Sequence, residues 1–232
     1  MESWLDFARG PVFAVAFLTM VLGLGRHVLL QVHELVTRKR RRLRLVPWKR
    51  VAAETLSWAV PIRHLIRGTI VISAASFLFH VGAIIVPIFL ADHVRLWEAF
   101  LGADLPSIGK NLADVLTLLT LGCVVVLFSY RIIIRRSREL SRPSDYALLV
   151  MILLPFLSGY LAAHPNVNPL PWTTMMLVHV LSADALMFVV PFSKLAHMVL
   201  FPFDRLSVVH WQLRPGAGDR VAEALYGKEA RV

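Results

Sequence analysis

The stretch GTIVISAASFLFHVGAIIVPIFLAD, residues 68–92, determines the fold class of this chain. A helix of about 20 apolar residues crosses a hydrocarbon core about 30 Å thick, and this stretch is long enough to do so. Four further stretches share its length and apolar character. Together with Gly68–Asp92, the predicted spans are Pro11–Glu34, Leu112–Ile134, Tyr146–Ala163 and Thr173–Phe203. The sequence therefore predicts an all-α, polytopic membrane protein with a bundle of five transmembrane helices.

The composition narrows the function classes. Hydrophobic residues make up 57% of the 232 residues and charged residues 17%, whereas an ordinary soluble domain has about 25% charged residues. Disorder and a coiled coil are thereby excluded. The one cysteine, Cys123, excludes a disulfide framework and a cysteine-ligated zinc or iron–sulfur centre within the chain. The net charge of +10 comes from Lys and Arg residues that lie mostly in loops next to the predicted spans. Basic residues in this position set the topology and contact lipid headgroups, so we expect no nucleic-acid partner.

Lys and Arg residues are divided unequally between the two sets of loops. Residues 35–50, residues 131–143 and the tail from 204 carry eighteen of them, and the opposite side carries three, Arg9, Arg95 and Lys110. Basic loops stay on the cytoplasmic side of a membrane. We therefore expect the N-terminus outside, the C-terminus inside, and a location in the cell inner (plasma) membrane.

Two segments lie outside the predicted spans. Val51–Arg67 fits either an amphipathic segment on the inner surface or a plain connecting loop. Residues 204–232 are polar and interrupted by Gly and Pro, which predicts a cytoplasmic tail rather than a second domain. The predicted organisation is a membrane domain over residues 1–203 followed by this tail.

Four of the nine histidines suggest a cofactor site. The second span runs outward with His80 in its inner half and His93 at its outer end, and the fifth span runs inward with His179 before His197. In an antiparallel pair, His80 lies level with His197, and His93 with His179. Imidazoles that face each other across a helix bundle are what a six-coordinate haem requires, so we predict haem ligation by these histidines at two levels of the bilayer.

Helical periodicity tests this ligand set. Eighteen residues are five whole turns, so His179 and His197 are expected to share one face of the helix. Thirteen residues leave His93 off the face of His80. Pro87 between them kinks or rephases the helix, or the helix ends before His93. The alternative for any single intramembrane histidine is a hydrogen bond to a neighbouring helix.

Other histidines have other expected roles. His164, at the outer end of the fourth span, is a reserve ligand for the outer haem. His27 and His33 lie near Arg26 in the inner half of the first span. We expect them to contact haem propionates or lipid phosphates, or to have no such contact. The string that begins at His33 lacks the second histidine of a zinc protease motif, and the chain has no phosphate-binding glycine loop.

Two strings carry a resemblance to a known family. FHVG, Phe79–Gly82, resembles the F-H-I-G string in the second span of the gamma (cytochrome b) subunit of respiratory nitrate reductase. PFSKLAH, Pro191–His197, resembles that family's P-F-S-R-L-x-H string in the last span, and the spacing from His179 to His197 also matches. Chain length, five spans and topology agree, so the resemblance covers most of the chain.

The chain departs from that family at one ligand. The nitrate reductase subunits place the second ligand of span two ten residues after the first, where this chain has Leu90. The string PIFLADH, residues 87–93, looks instead like a branch of membrane cytochromes b from sulfite-reductase-associated, heterodisulfide-reductase-like and transmembrane redox complexes. The resemblance implies two haem b groups, an inner haem on His80 and His197 and an outer haem on His93 and His179, and it does not carry over nitrate as the substrate.

The same resemblance implies a quinol or menaquinol site beside the outer haem. Lys110 looks like the family lysine near the quinol, and an ordinary end-of-helix lysine is the equal alternative. Asp92 and Asp114 are candidate relays for the quinol protons, although solvation at the interface explains them equally well. On the inner side Arg67, Lys194 and Arg205 are candidate partners for haem propionates, and ordinary inside-positive placement is the alternative.

These expectations define a subunit rather than a complete enzyme. It would transfer electrons between the quinol/quinone pool on the outer side and an iron–sulfur partner on the cytoplasmic side, as the quinol:acceptor oxidoreductase subunit of a respiratory complex. Expected partners are iron–sulfur or catalytic subunits and, as a further candidate, an outward-facing cytochrome c. The rival hypotheses are a haem-free membrane anchor and a transporter or channel that uses the histidines as a proton relay.

Overall fold

The computed structural model of the chain describes residues 1–38, 48–59, 70–102, 104–212, 221 and 223. The described part contains only helices and their connections, so the all-α prediction is confirmed. In chain order the α-helices are α1 (Glu2–Phe7), α2 (Phe13–Arg38), α3 (Trp48–Ala59), α4 (Ile70–Phe89), α5 (Ala91–Leu101), α6 (Lys110–Ile133), α7 (Arg135–Leu140), α8 (Pro143–Ala163), α9 (Trp172–Val189) and α10 (His197–Gln212). A π-helical turn, Ala8–Val12, joins α1 to α2.

Five helical segments of the described residues are long and apolar enough to cross a membrane. They are Glu2–Thr37, Ile70–Phe89, Lys110–Ile133, Pro143–Ala163 and Trp172–Phe192. Large apolar side chains stay exposed on these helices, for example Leu22 at 69% and Ile133 at 72%, and hydrocarbon solvates such surfaces where water does not. The chain is therefore a multi-pass membrane protein, as predicted.

The chain divides into two compact units. Unit 1 contains residues 1–17 and 61–188, and unit 2 contains residues 18–60 and 189–232. Within unit 1, α4 packs closely on α6 at Gly82. A Cβ at this residue would overlap Oγ1 of Thr120 and would lie 3.0 Å from the carbonyl oxygen of Leu116. Thr120 is completely buried, and its hydroxyl donates to Leu116 O over 2.6 Å. A glycine is required at residue 82 for this packing.

The second predicted span ends earlier than Asp92. α4 stops at Phe89, Leu90 is extended, and α5 begins at Ala91. The backbone N–H of Ile108 donates to Phe89 O over 2.8 Å, which ties the connection after α5 back to the end of α4. α5 itself ends at Gly102, whose φ of 65° places it in the left-handed region that glycine adopts readily. His93 therefore lies on a separate short helix. Of the two alternatives given by the sequence, a kink at Pro87 or a helix that ends before His93, the structure shows the second.

The fifth predicted span, Thr173–Phe203, is not one helix. α9 ends at Val189, two 3₁₀ turns follow at Val190–Phe192 and Lys194–Ala196, and α10 starts at His197. Pro191 and the extended Ser193 interrupt the regular hydrogen bonding, and the Ser193 hydroxyl accepts from Leu195 N. The prediction that five helical turns put His179 and His197 on one face is therefore wrong, because the two residues do not lie on one continuous helix.

The segments outside the spans are partly described. Of Val51–Arg67, the part up to residue 59 lies in α3, so its first half is helical, and residues 60–67 lie outside the described residues. α3 contacts α10 within unit 2. α10 continues past the predicted start of the tail at 204, to Gln212.

Candidate functional site

His93 and His179 come together in unit 1, although 86 positions of sequence separate them. Their imidazole planes are parallel within 5°, and the ring centres lie 6.0 Å apart. His93 is in the first turn of α5 and His179 in the middle of α9, and both rings are partly buried. Of the two predicted ligand pairs, this is the one whose members lie within a single unit.

The end of α4 positions His93. Because the chain turns away from helical geometry at Leu90, the carbonyl oxygen of Pro87 has no backbone donor four residues later in the same helix. The Nδ1–H group of His93 donates to that carbonyl oxygen over 3.1 Å. Burial lowers the pKa of His93 below its ordinary value, which favours the neutral imidazole that a metal ligand requires.

α8 positions His179. Its Nδ1–H group donates to the carbonyl oxygen of Pro155 over 2.8 Å. One turn further along α8, Gly159 leaves room for the ring, because a Cβ there would lie 2.8 Å from Cε1 and 2.9 Å from Nδ1 of His179. The ring therefore sits against bare backbone, held by one hydrogen bond.

The separation of the two rings is close to that of two imidazoles that bind one metal ion. Two imidazoles on opposite sides of one metal ion would have ring centres about 6.4 Å apart, since each Nε2 lies about 2.0 Å from a metal ion and about 1.2 Å from its own ring centre. In both rings the proton lies on Nδ1, so the lone pair of the neutral ring lies on Nε2. The described residues hold no group of three or more metal-ligating side chains, but a porphyrin supplies four ligands itself and requires only two from the protein.

His80 and His197 belong to different units, and each is described by itself. His80, on α4, donates from Nδ1 to Ser76 O over 2.6 Å and has the Phe79 ring edge-on at 5.1 Å. His197, at the start of α10, donates from Nδ1 to Lys194 O over 2.7 Å. Both therefore carry the Nδ1 proton seen in the first pair, and their pairing stays a prediction.

His164 has partners other than a metal. It ends α8, where its Nδ1–H donates to Tyr160 O over 2.8 Å and its Nε2 lies 3.2 Å from Oδ2 of Asp114 on α6. The Tyr160 ring stacks on the imidazole with centres 4.2 Å apart. Both ring nitrogens of this reserve ligand are therefore engaged in hydrogen bonds.

The other polar residues predicted for the quinol site, Asp92, Lys110 and Asp114, differ in exposure and in partners. Asp92 is exposed and pairs with Arg95 over 3.0 Å. Lys110 is exposed at the first position of α6, one turn before Asp114, so the two side chains lie on the same face of that helix. Of the two candidate relays, Asp114 is the one that contacts a histidine.

Unit 2 contains a cavity of about 410 Å³ lined by residues of α2 and of the segment after α9. Arg26 and His27 line it together with Pro191, and His27 donates from Nε2 to Pro191 O over 2.8 Å. α2 lies close to Pro191 at this cavity. A Cβ on Gly23 would be 2.8 Å from Cγ of Pro191. Lys194 is exposed beyond this segment.

Sequence reasoning missed Asp184. It lies in the middle of α9, 3% exposed, and neither carboxylate oxygen has a hydrogen-bond partner among the described residues. An acidic residue in an otherwise apolar span was the available signal, because ionisable residues inside spans are costly and mark functional positions.

Comparisons with known proteins add one relative. A protein of Nitratidesulfovibrio vulgaris (strain Hildenborough), described only by the word "Protein", is 34% identical over 151 residues, which are 65% of this chain and 66% of the relative. The match thus spans just under two thirds of the relative's length. No family model matches the chain, and no solved structure matches it.

Proposed function

We propose that the chain is the dihaem b membrane subunit of a respiratory redox complex in the cell inner membrane, with its N-terminus outside. It would transfer electrons between the quinol/quinone pool on the outer side and an iron–sulfur partner on the cytoplasmic side. The observation that carries the proposal is the His93–His179 pair, with parallel rings 6.0 Å apart and both Nδ1 protons donated to backbone carbonyls.

The residues of unit 1 have defined tasks in this proposal. His93 and His179 offer Nε2 to the outer haem, and the carbonyls of Pro87 and Pro155 hold the two rings in orientation. Gly159 keeps the space that the His179 ring occupies. When bound, haem b supplies one-electron redox chemistry, and the apolar helices around it exclude water.

His80 and His197 remain the proposed ligands of the inner haem, as the resemblance implies. Each donates from Nδ1 to a backbone carbonyl within its own unit. Lys194 is assigned to a haem propionate, since a charge-assisted bond suits a carboxylate. Lys110, exposed at the start of α6, is assigned to the quinol site. The lone Cys123 cannot hold an iron–sulfur cluster, so the proposal places the terminal chemistry in partner chains.

A reduced-minus-oxidised absorption spectrum of the purified chain tests the proposal. We expect the α-bands of b-type haem, with about two haems per chain by pyridine haemochrome. His93→Ala and His179→Ala should each lose one haem and retain the other, and His164→Ala should retain both.

Each rival hypothesis predicts a different result. A chain without pigment from cells that have an ample porphyrin supply would favour the haem-free anchor or the histidine relay. Retention of both haems in His93→Ala, with loss of one in His164→Ala, would move the outer ligand to α8.

A further inference from the structure

We propose that Arg9 binds a propionate carboxylate of the outer haem. The inference rests on the proposed function for its ligand, and it concerns a residue that none of the haem or quinol assignments uses. Three observations within unit 1 carry it: the π-helical turn that holds Arg9, the contact of Arg9 with Trp172, and the action of its charge on His179.

Arg9 lies on an irregular turn of the first membrane-spanning segment. Residues Ala8–Val12 form a π-helical turn, in which the backbone N–H of Phe13 donates to Ala8 O, five residues earlier. Pro11 within this turn has no N–H to donate, so one hydrogen bond of a regular α-helix is missing here. Ala8 is 1% exposed, whereas Arg9 is exposed. The turn is therefore anchored at Ala8 and leaves the Arg9 side chain free to contact other groups, as is frequent for π-helical turns at functional sites.

The guanidinium of Arg9 contacts the first residue of α9. Its Cζ lies 5.7 Å from the centre of the Trp172 ring, within the range of a cation–π interaction. Its N–H groups have no hydrogen-bond acceptor among the described residues. The ring therefore holds the charge in place without occupying the five N–H donors, which stay available for an anion.

Trp172 and the proposed haem ligand His179 lie on the same face of α9. The seven residues between them are almost two helical turns, a rise of about 10.5 Å, and Trp172 is at the outer end in the proposed topology. The positive charge of Arg9 also acts on the imidazole of His179. Arg9 therefore lies beside the His93–His179 pair, on the side that faces the outer water.

The chemistry of haem predicts an anionic group on this side. Both propionates leave one edge of the macrocycle, and an ionised carboxylate is costly in hydrocarbon. We therefore expect the propionate edge of the outer haem on the outer side of the ligand pair, where Arg9 is. Two parallel N–H···O bonds from a planar guanidinium match the two oxygens of a carboxylate, so an arginine suits this ligand.

Binding of haem and of haem dimethyl ester to the purified apo-chain in detergent tests the proposal. The ester retains the iron and the macrocycle but has no free carboxylate, so it cannot form the ion pair. The outer haem is identified as the one that His93→Ala loses. We expect Arg9→Gln to bind the outer haem about 10-fold more weakly than the wild type, the low end for a hydrogen bond between charged groups, and to bind the ester as tightly as the wild type does.

Arg95→Gln is the matched control for the loss of one positive charge. Arg95 is an exposed arginine on the same side of the membrane in the proposed topology, but its charge is paired with Asp92 over 3.0 Å. This variant should bind both haem and the ester as the wild type does. Arg9→Lys keeps a cation at residue 9 and should retain more haem affinity than Arg9→Gln.

A redox titration gives a second readout. Arg9→Gln should lower the midpoint potential of the outer haem, because loss of a nearby cation disfavours the reduced, less positive haem. The potential of the inner haem should stay unchanged, and Arg95→Gln should leave both potentials unchanged.

Three results would contradict the proposal. Equal affinity of the wild type and Arg9→Gln for haem would overturn it. An equal loss of affinity for haem and for the ester would also overturn it, because Arg9 would then act through the fold and not through a carboxylate. A wild-type chain that binds no haem would instead refute the proposed function, and this inference with it, before any variant is made.

Discussion

Gly159→Ala tests the link between the packing of α8 and cofactor binding. The new Cβ would lie 2.8 Å from Cε1 and 2.9 Å from Nδ1 of His179, whereas ordinary contact begins at 3.4 Å. The ring must therefore move away from α8 by about 0.6 Å, and α8 also carries the carbonyl of Pro155 that orients it. The Nδ1···O distance would grow from 2.8 Å to about 3.4 Å, beyond the range of a good hydrogen bond.

The cost can be estimated from these two effects. Loss of the hydrogen bond costs about 1 kcal/mol, and overpacking adds about 1–3 kcal/mol. The two effects sum to about 2–4 kcal/mol. Since 1.4 kcal/mol is tenfold in affinity, we expect the outer haem to bind about 30- to 700-fold more weakly.

Haem content by pyridine haemochrome, after dialysis against apomyoglobin, measures this loss. Gly122→Ala on α6 is the matched control, because a Cβ at residue 122 meets nothing within 4 Å. A Gly159→Ala protein that keeps both haems as tightly as the control would refute the assignment of His179 as a ligand oriented by α8.

Two further predictions concern stability, measured by thermal unfolding in detergent. Gly82→Ala should destabilise the protein by about 1–3 kcal/mol, because its Cβ would overlap Thr120 and force α4 away from α6; a melting temperature equal to that of Gly122→Ala would contradict the close approach. Asp184→Leu should raise the melting temperature by about 2–4 °C per kcal/mol gained, because an apolar side chain of similar shape replaces a buried carboxylate that lacks a partner among the described residues. A lower melting temperature would indicate that a group outside those residues stabilises the carboxylate.

Local patterns were sufficient for the architecture. Runs of apolar residues as long as the bilayer is thick predicted five spans, and the described residues contain five helical segments close to those positions. The helix breaks after α4 and after α9 were harder to predict from the sequence, because a proline such as Pro191 is also tolerated within a continuous span. Where a helix stops depends on which carbonyls find other donors, as Pro87 O does in His93.

The candidate site required more than pattern. The positions of His93 and His179 along their spans predicted that the two residues lie at the same level of the bilayer, and their rings are adjacent in the structure. Depth could not show that His164 would be engaged by Asp114, 50 positions earlier, because that contact depends on how α6 and α8 pack. The same limit applied to Asp184, whose burial depends on the neighbouring helices.

The amino-acid sequence by itself determined that this is a helical multi-pass membrane protein, because hydrophobicity and helix length act residue by residue along the chain. Tertiary structure alone decided which histidines are adjacent, which donate to backbone carbonyls and which one contacts a carboxylate. Those outcomes depend on helix ends and on interhelical distances of a few ångströms, and both are set by packing between segments far apart in sequence.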